Sequence, residues 1–266
     1  MISSQEIRAL LSDKTANMDI VIYNCVTSTN DIAKEYSSLH PDSEAVIIAL
    51  GQTSGRGRRG RSFFSPDGSG LYMSIILRPD TNNELIPLLT SCAAVSVAEA
   101  IEKISDKKAD IKWINDIYIS GKKACGILCE TSFNSKTNSA DYVIVGIGVN
   151  ITDPDGGFPY EIKDIATSVF GNTKPCSDTF AHLCAYIINN LKEYSSDLSK
   201  RRFISEYKNR LCMLGSDITV ITPNETYCAR AVDIDENAHL IISLPDASTR
   251  TLEAGEISIR QIKREC

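Results

Sequence analysis

The spacing of apolar positions changes period several times along this chain, and each period predicts a different element. Ile20 to Val26 is apolar and β-branched and reads as a strand. Glu44 to Leu50, Leu71 to Leu77 and Tyr142 to Asn150 are short, strongly apolar runs, the pattern of buried strands. Asp110 to Ile114 and Ile117 to Ile119 are strand-like, and Ser120-Gly121-Lys122 predicts a hairpin turn into a strand over Lys123 to Glu130. Helical spacing separates these runs. Thr27 to Asp31 offers several capping side chains ahead of a helix at Ile32 to Tyr36. Glu84 to Ile104 predicts one long helix. A polar stretch runs on to Pro175, and two helical segments follow, ending near Leu211.

The texture changes after Gly215. Short alternating segments at Ile218–Thr222, Thr226–Ile234, His239–Leu244 and Thr249–Glu253 are separated by turns such as Pro223-Asn224 and Pro245-Asp246. They predict a small, barrel-like all-β module. The expected division is therefore a first domain over residues 1–212 and a second over 213–266.

Composition narrows the function. The 266 residues suffice for one large domain, or a large and a small one, with a real core. A net charge of −6 and a pI near 5.2 argue against general DNA or RNA binding. No apolar run reaches about 18 residues, so no membrane span is expected. Met1 to Thr15 carries Glu6, Arg8 and Asp13 and lacks an apolar centre, so no export signal is expected either. The nine cysteines are scattered and odd in number, which fits reduced thiols in the cytoplasm. Cys125 and Cys129 would share a strand face, but no histidine or second cysteine pair lies near in sequence, so a metal site is not expected there. The metal ligands, if any, are unknown.

Against this acidic background, Gly55-Arg56-Gly57-Arg58-Arg59-Gly60-Arg61 concentrates four arginines and three glycines. The local field is strongly positive, and glycines let backbone N–H groups approach a ligand closely. The natural guest is a small polyanion, or a carboxylate reacting with one; a solvated or RNA-touching basic loop is the plainer alternative. As a loop between two strands it is placed to be a lid, mobile when empty because like charges repel and glycines resist ordering. Lys112-Trp113-Ile114-Asn115-Asp116 ends a strand and either turns the chain or puts a polar cluster at the mouth of a sheet. Lys123 opens an apolar strand in which Gly126 leaves the backbone accessible. Ser120-Gly121-Lys122 lacks the upstream glycine of a phosphate loop, where Asp116 stands instead, which excludes a P-loop NTPase. Gly146-Ile147-Gly148 is weak as a dinucleotide signal and better fits a strand whose missing side chains leave room for a ligand. His40, His182 and His239 lie far apart in sequence and adjoin no motif.

Taken in order, these motifs resemble the biotin–protein ligase family (biotin–[acetyl-CoA-carboxylase] ligase). Ser28-Thr29-Asn30, Gln52 through Arg61, Ser65-Pro66-x-Gly68, Leu71-Tyr72-x-Ser74 and Lys112-Trp113-x-Asn115-Asp116 carry the resemblance. So do Lys123-x-x-Gly126-Ile127-Leu128-x-Glu130, Gly146-x-Gly148-x-Asn150 and Gly255-Glu256-Ile257-Ser258-x-Arg260. The likeness runs from about residue 20 to 262. It implies an α+β catalytic domain akin to class II aminoacyl-tRNA synthetases, with a mixed or antiparallel sheet, and a C-terminal SH3-like barrel. It also implies two steps. Biotin carboxylate attacks the α-phosphate of Mg-ATP to give biotinyl-5′-AMP, and a lysine of a biotin carboxyl carrier protein or domain then takes the biotin.

By the same resemblance, Ser28, Thr29 and Gln52 bond the biotin head group and Arg56 lies near its carboxylate. Arg58 and Lys123 meet carboxylate and phosphate oxygens, and Arg59 and Arg61 order the loop. Asp116 is the candidate to attract the carrier ammonium and help deprotonate it. Asn30, Gly55, Phe63, Lys112, Trp113, Asn115, Gly126, Gly146, Gly148 and Asn150 complete the expected binding set. Two positions depart from the family. Phe63 replaces a frequent tryptophan, which weakens lid closure, and Ile114 replaces a proline, which loosens the backbone before Asn115. Only about 19 residues precede the first strand, too few for the DNA-binding domain of some members, so no DNA binding is expected. The rivals are a lipoate or octanoate ligase or transferase of the same superfamily, a nucleic-acid module, and a regulator that binds biotinyl-adenylate without catalysis.

Overall fold

The structure is a computed structural model that describes residues 3–134, 136, 139–222, 225–253 and the strand backbone at 258–261. A short helix α1 (Ser4–Arg8) opens the chain, set by a capping box in which Ser3 Oγ accepts from Glu6 N and Glu6 Oε2 accepts from Ser3 N. Strand β1 (Asp19–Val26) leads into helix α2 (Thr29–Leu39), which crosses to strand β2 (Ala45–Gln52), parallel to β1. The glycine/arginine loop returns the chain to β3 (Gly70–Leu77). Helix α3 (Leu88–Ser105), strands β4 (Asp110–Lys112), β5 (Asp116–Ile119), β6 (Lys122–Phe133) and β7 (Ala140–Asn150), and helices α4 (Thr179–Ser195) and α5 (Ile204–Arg210) follow. Together the seven strands form a mixed sheet in the order β1-β2-β3-β7-β6-β5-β4.

Strand periodicity decides what each face of this sheet does. Successive side chains alternate between faces. Val46 and Ile48 of β2, Met73 and Ile75 of β3, and Val143, Val145 and Ile147 of β7 join the large core with α3 and α4. Ala45, Ile47, Ile76 and Ile144 point the other way and pack beside Ala33 of α2. The register pairs Gly126 with Gly148 and Leu128 with Gly146 between β6 and β7, and Tyr72 with Gly148 and Ser74 with Gly146 between β3 and β7. The face that carries α2 is thus paved with glycines and small polar groups beyond the end of the helix.

The C-terminal strands β8 (Asp217–Ile221), β9 (Thr226–Ile234), β10 (Leu240–Ser243), β11 (Thr249–Leu252) and β12 (Ser258–Gln261) form a second, antiparallel sheet in the order β11-β10-β9-β8-β12. No described helix is long and apolar enough to cross a membrane.

Three expectations are corrected. The helix predicted from Glu84 begins only at Leu88, after a 3-10 turn over Asn83–Leu85; Pro87 has no N–H to continue a helical ladder and marks the break. The strand predicted over Asp110 to Ile114 stops at Lys112, and the chain turns through Trp113, Ile114 and Asn115, with a cis peptide bond between Trp113 and Ile114. Ser28 sits at the N-cap of α2 but makes no capping bond with its side chain. The pattern also missed β12. The Pro223-Asn224 turn and motif residues 255–257 lie outside the described residues.

The β4–β5 corner is clamped to the rest of the chain. Trp113 Nε1 donates to Ala238 O, in the turn between β9 and β10, at 2.8 Å. Tyr207 Oη of α5 donates to Ile114 O at 2.9 Å, and Arg201 Nε donates to Glu236 O at 2.9 Å. Trp113 is only 7% exposed, so its partner carbonyl has no ready replacement donor. Trp113→Phe is therefore expected to lower stability by about 1–3 kcal/mol, read by urea unfolding followed by circular dichroism.

Candidate functional site

A cavity of about 530 Å³ opens on the α2 face of the large sheet. The N-terminal turn of α2, the glycine/arginine loop, β6, β7 and the β4–β5 corner surround it. Its floor is glycine because the space above is occupied. A Cβ on Gly146 would lie 2.2 Å from Asn30 Oδ1, and one on Gly148 would lie 2.6 Å from the Phe63 ring. The sequence suggested that this room serves a ligand; Asn30 and Phe63 stand close against these glycines, and both glycines line the cavity. Phe63 also meets Tyr72 edge-on at 6.5 Å between ring centroids, and Lys123 Nζ stands 5.8 Å from its centroid.

One wall is a chain of polar groups, buried at α2 and half-buried at the loop. Gln52 Oε1 accepts from Thr29 N at 2.8 Å and from Thr29 Oγ1 at 3.3 Å, while Gln52 Nε2 donates to Ser65 Oγ at 3.0 Å. Ser65 Oγ donates on to Phe63 O at 2.9 Å. Ser74 Oγ lies 2.8 Å from Thr29 Oγ1 and 2.6 Å from Asn30 Oδ1. Asn30 Nδ2 donates to Glu130 Oε2 at 2.7 Å. Each buried hydroxyl and amide here has a partner, which removes the cost of burying it.

The loop itself folds as a small hairpin. Gly57 N donates to Arg61 O at 2.7 Å and Phe63 N to Gly55 O at 2.9 Å, while Arg59 and Gly60 take left-handed φ values of 57° and 73°. Its arginines divide by partner. Arg56 meets Asp31 at 2.7 Å and Glu130 at 2.5 Å. Arg58 turns inward and donates to Asn115 Oδ1 at 3.1 Å, and burial together with the neighbouring Arg59 charge lowers its pKa. Arg59 and Arg61 are exposed.

Opposite the loop, Lys123 Nζ meets Asp116 Oδ1 at 2.7 Å. The backbone of Lys123 is fixed on both sides, its N–H donating to Ile165 O at 2.8 Å and its carbonyl accepting from Thr167 N at 2.9 Å. Asn115 is fixed by its amide, which donates to Ile127 O at 2.7 Å. Lys112 lies beside Tyr118, with Nζ 3.4 Å from the phenol oxygen. Asp116 is the carboxylate among the described residues that line the cavity, and it has a cationic partner, so the described residues there form no cage for a divalent cation.

Ser28, Thr29, Asn30, Gln52, Arg56, Arg58, Phe63, Lys112, Trp113, Asn115, Asp116, Lys123, Gly126, Gly146 and Gly148 all line this one cavity. Gly55 and Asn150 do not. Gly55 is enclosed by its own loop, where a Cβ would lie 2.4 Å from Phe63 O. Asn150 is buried and donates to Thr167 O at 2.9 Å, which ties down the loop after β7. The sequence reading passed over Asp31, Ser74 and Glu130 as functional positions although all three lie within or beside the quoted motifs. The usable signal was strand parity: Glu130 shares a face with Gly126 and Leu128 on β6.

Comparison with known proteins gives the same direction. Residues 22–150 match the model described as the Biotin/lipoate A/B protein ligase family, and residues 213–260 match the Biotin protein ligase C terminal domain. The chain is 37% identical over 218 residues to a Biotin--[acetyl-CoA-carboxylase] ligase of Paracoccus denitrificans, covering 80% of this chain and 89% of that protein. It is 31% identical over 245 residues to the Bifunctional ligase/repressor BirA of Bacillus subtilis (strain 168), covering 91% of this chain and 74% of that protein. Its fold is similar to that of a biotin protein ligase from Aquifex aeolicus solved with biotin and ATP, with a TM-score of 0.75, 28% identity, and 92% of this chain and 99% of that chain covered.

The charge cluster at the rim has a pH signature. Burial alone would raise the Glu130 carboxyl, but the hydrogen bonds from Lys34 and Asn30 and the charges of Lys34 and Arg56 outweigh it and hold the group below the usual carboxylate range. A depressed carboxylate adds stability that is fully present above its unfolded pKa of 4.5 and is lost as pH falls through the lower folded value. Thermal midpoints measured from pH 6 down to pH 3 should therefore fall less steeply in Glu130→Gln than in the unaltered protein.

Proposed function

The chain belongs to the biotin protein ligase family, and on that premise we infer how its cavity carries out the family's chemistry. It is an ATP-dependent ligase that activates biotin and transfers it to a carrier protein. The observation that carries the residue assignment is the convergence of Arg56, Arg58 and Lys123 on one glycine-floored cavity. Biotin brings a carboxylate and ATP a polyphosphate, and the two repel strongly. Cations aimed at the transition state offset that repulsion. Arg58 suits this role best: its guanidinium donates to the neutral Asn115 amide oxygen, so its charge is available to an incoming anion.

In the first step a biotin carboxylate oxygen forms a bond to the α-phosphorus while the bond from that phosphorus to the pyrophosphate oxygen breaks. Mg²⁺ enters with ATP as part of the substrate. Arg58 and Lys123 hold the carboxylate and phosphate oxygens in line. Ser28, Thr29 and Gln52 orient the biotin head group, and their mutual hydrogen bonds fix Thr29 and Gln52 beforehand. Arg56 faces the carboxylate from the rim. Asn30, Gly126, Gly146 and Gly148 shape the floor, Phe63 covers it, and Lys112, Trp113 and Asn115 form the nucleotide end.

In the second step a carrier lysine, with an ordinary pKa of about 10.4, must lose a proton before its nitrogen attacks the acyl carbon and AMP leaves. Asp116 attracts that ammonium and accepts the proton. Its pairing with Lys123 at 2.7 Å supports a sequence of events. Once Lys123 turns to phosphate oxygens, the Asp116 carboxylate faces the entering lysine instead.

The division at 212/213 into a class II synthetase-like catalytic unit and an SH3-like module is our assignment. The C-terminal family match beginning at residue 213 and the separate five-stranded sheet support it. The same match favours biotin over lipoate or octanoate. The partner is a carrier domain of a carboxylase, and free cysteines among the described residues support a cytoplasmic setting.

Biotin-dependent exchange of pyrophosphate into ATP tests the first step. Arg58→Met and Lys123→Met should each lose about 100-fold or more in exchange rate, with the fold intact by circular dichroism. Undiminished exchange in both would end this reading. Asp116→Asn should keep exchange but slow transfer from preformed biotinyl-adenylate to a carrier domain, and equal transfer rates would remove Asp116 from the mechanism.

A further inference from the structure

Arg56 is the first arginine of the loop, and both ends of its guanidinium are taken by the chain's own carboxylates. Nη1 meets Asp31 Oδ1 of α2 at 2.7 Å, and Nη2 meets Glu130 Oε1 of β6 at 2.5 Å. Lys34, one turn along α2 from Asp31, meets the same Glu130 oxygen at 2.8 Å. Two acids and two bases therefore close a neutral cluster at the rim. Glu130 is itself oriented by Asn30, whose amide binds its other oxygen at 2.7 Å. The cluster ties three separate elements together: α2, β6 and the loop.

Anchoring Arg56 anchors more than one residue. Arg56 bridges to Ser62 across the loop hairpin, and Phe63 N is bonded to Gly55 O. Both strands at the base of the hairpin therefore move with Arg56, and so does the Phe63 ring above Gly148. Arg58 to Gly60 form the turn of the hairpin, beyond the Arg56–Ser62 bridge.

We propose that Asp31 and Glu130 are positioning residues that latch Arg56 and so hold the base of the loop closed in the empty enzyme, leaving only its Arg58–Arg61 tip to respond to the anions. The part played by biotin rests on the ligase reading; the latch itself does not. The latch lowers the cost of ordering the loop when biotin binds, because the base of the loop is already ordered. The acids also neutralise Arg56, which keeps four clustered arginines from forcing the loop open. The ion pairs are partly exposed, with side-chain exposures of 38% for Arg56, 42% for Asp31 and 25% for Glu130, so raised salt loosens the latch.

The arginines make the loop its own reporter, since trypsin cleaves after each of them once the segment opens. In the substrate-free protein, Asp31→Asn and Glu130→Gln should each speed trypsin cleavage within Arg56–Arg61. Together they should speed it by about ten-fold, with thermal midpoints showing that the fold survives. In pyrophosphate exchange the same variants should raise KM for biotin several-fold and leave kcat nearly unchanged, a split that general destabilisation would not produce. Asp31→Asn alters only a partly exposed side chain and keeps the test valid if Glu130→Gln folds poorly. Trypsin sensitivity equal to that of the unaltered protein in both variants overturns the latch, as does a KM for biotin that does not move. Absence of biotin-dependent exchange in the unaltered protein would instead overturn the ligase reading, and the substrate-free protease result would still decide the latch.

Discussion

Like charges must be brought together in this cavity, and that constraint shapes everything around it. A site that joins a carboxylate to a polyphosphate needs several cations, yet those cations repel one another when the anions are absent. The chain meets this by giving two of them an acid to rest on. Arg56 rests on Asp31 and Glu130, and Lys123 rests on Asp116. Arg58 is held instead by the neutral Asn115 amide, half-buried and lowered in pKa by that burial. The pairings are reversible by design of geometry: each acid sits at the rim or wall, where a stronger anion can draw its cation away.

The sheet makes this arrangement compact. Alternation along β3, β6 and β7 puts large aliphatic side chains toward α3 and α4 and small or polar ones toward the cavity. Glycine at positions 146 and 148 then lets Asn30 and Phe63 approach the strands closely enough to serve as wall and cover. The same alternation places Glu130 on the cavity face, within reach of α2. The single tryptophan extends the scaffold, because its indole carries the β4–β5 corner onto the second sheet through Ala238. Asn115 and Asp116, which follow that corner directly, inherit its rigidity.

Much of this was legible in the residues taken in order. Strong apolar runs marked β1, β2, β3 and β7, and the change of period after Gly215 marked the second sheet. The arginine loop, Lys112–Asp116 and Lys123 announced themselves by unusual charge beside apolar strands. What stayed hidden depends on contacts between distant parts of the chain. Glu130 sits 74 positions from Arg56 and 100 from Asn30 in sequence, so strand parity could place it on the cavity face but could not show its partners. Asn150 and Gly55 look like ligand contacts by motif, yet one ties down a loop and the other is enclosed within one. Pro87 shortened a helix whose periodicity extended past it, and β12 was too short and polar at its ends to stand out as a strand.

The central claim is that this charge arrangement lets two mutually repelling anions occupy one cavity together. Calorimetric titration of biotin, with and without a non-hydrolysable ATP analogue and its Mg²⁺, measures the coupling between them directly. The account predicts that the analogue does not weaken biotin binding in the unaltered protein and weakens it clearly in Arg58→Met, relative to that variant's own affinity for biotin alone. Identical coupling in the two proteins would contradict it.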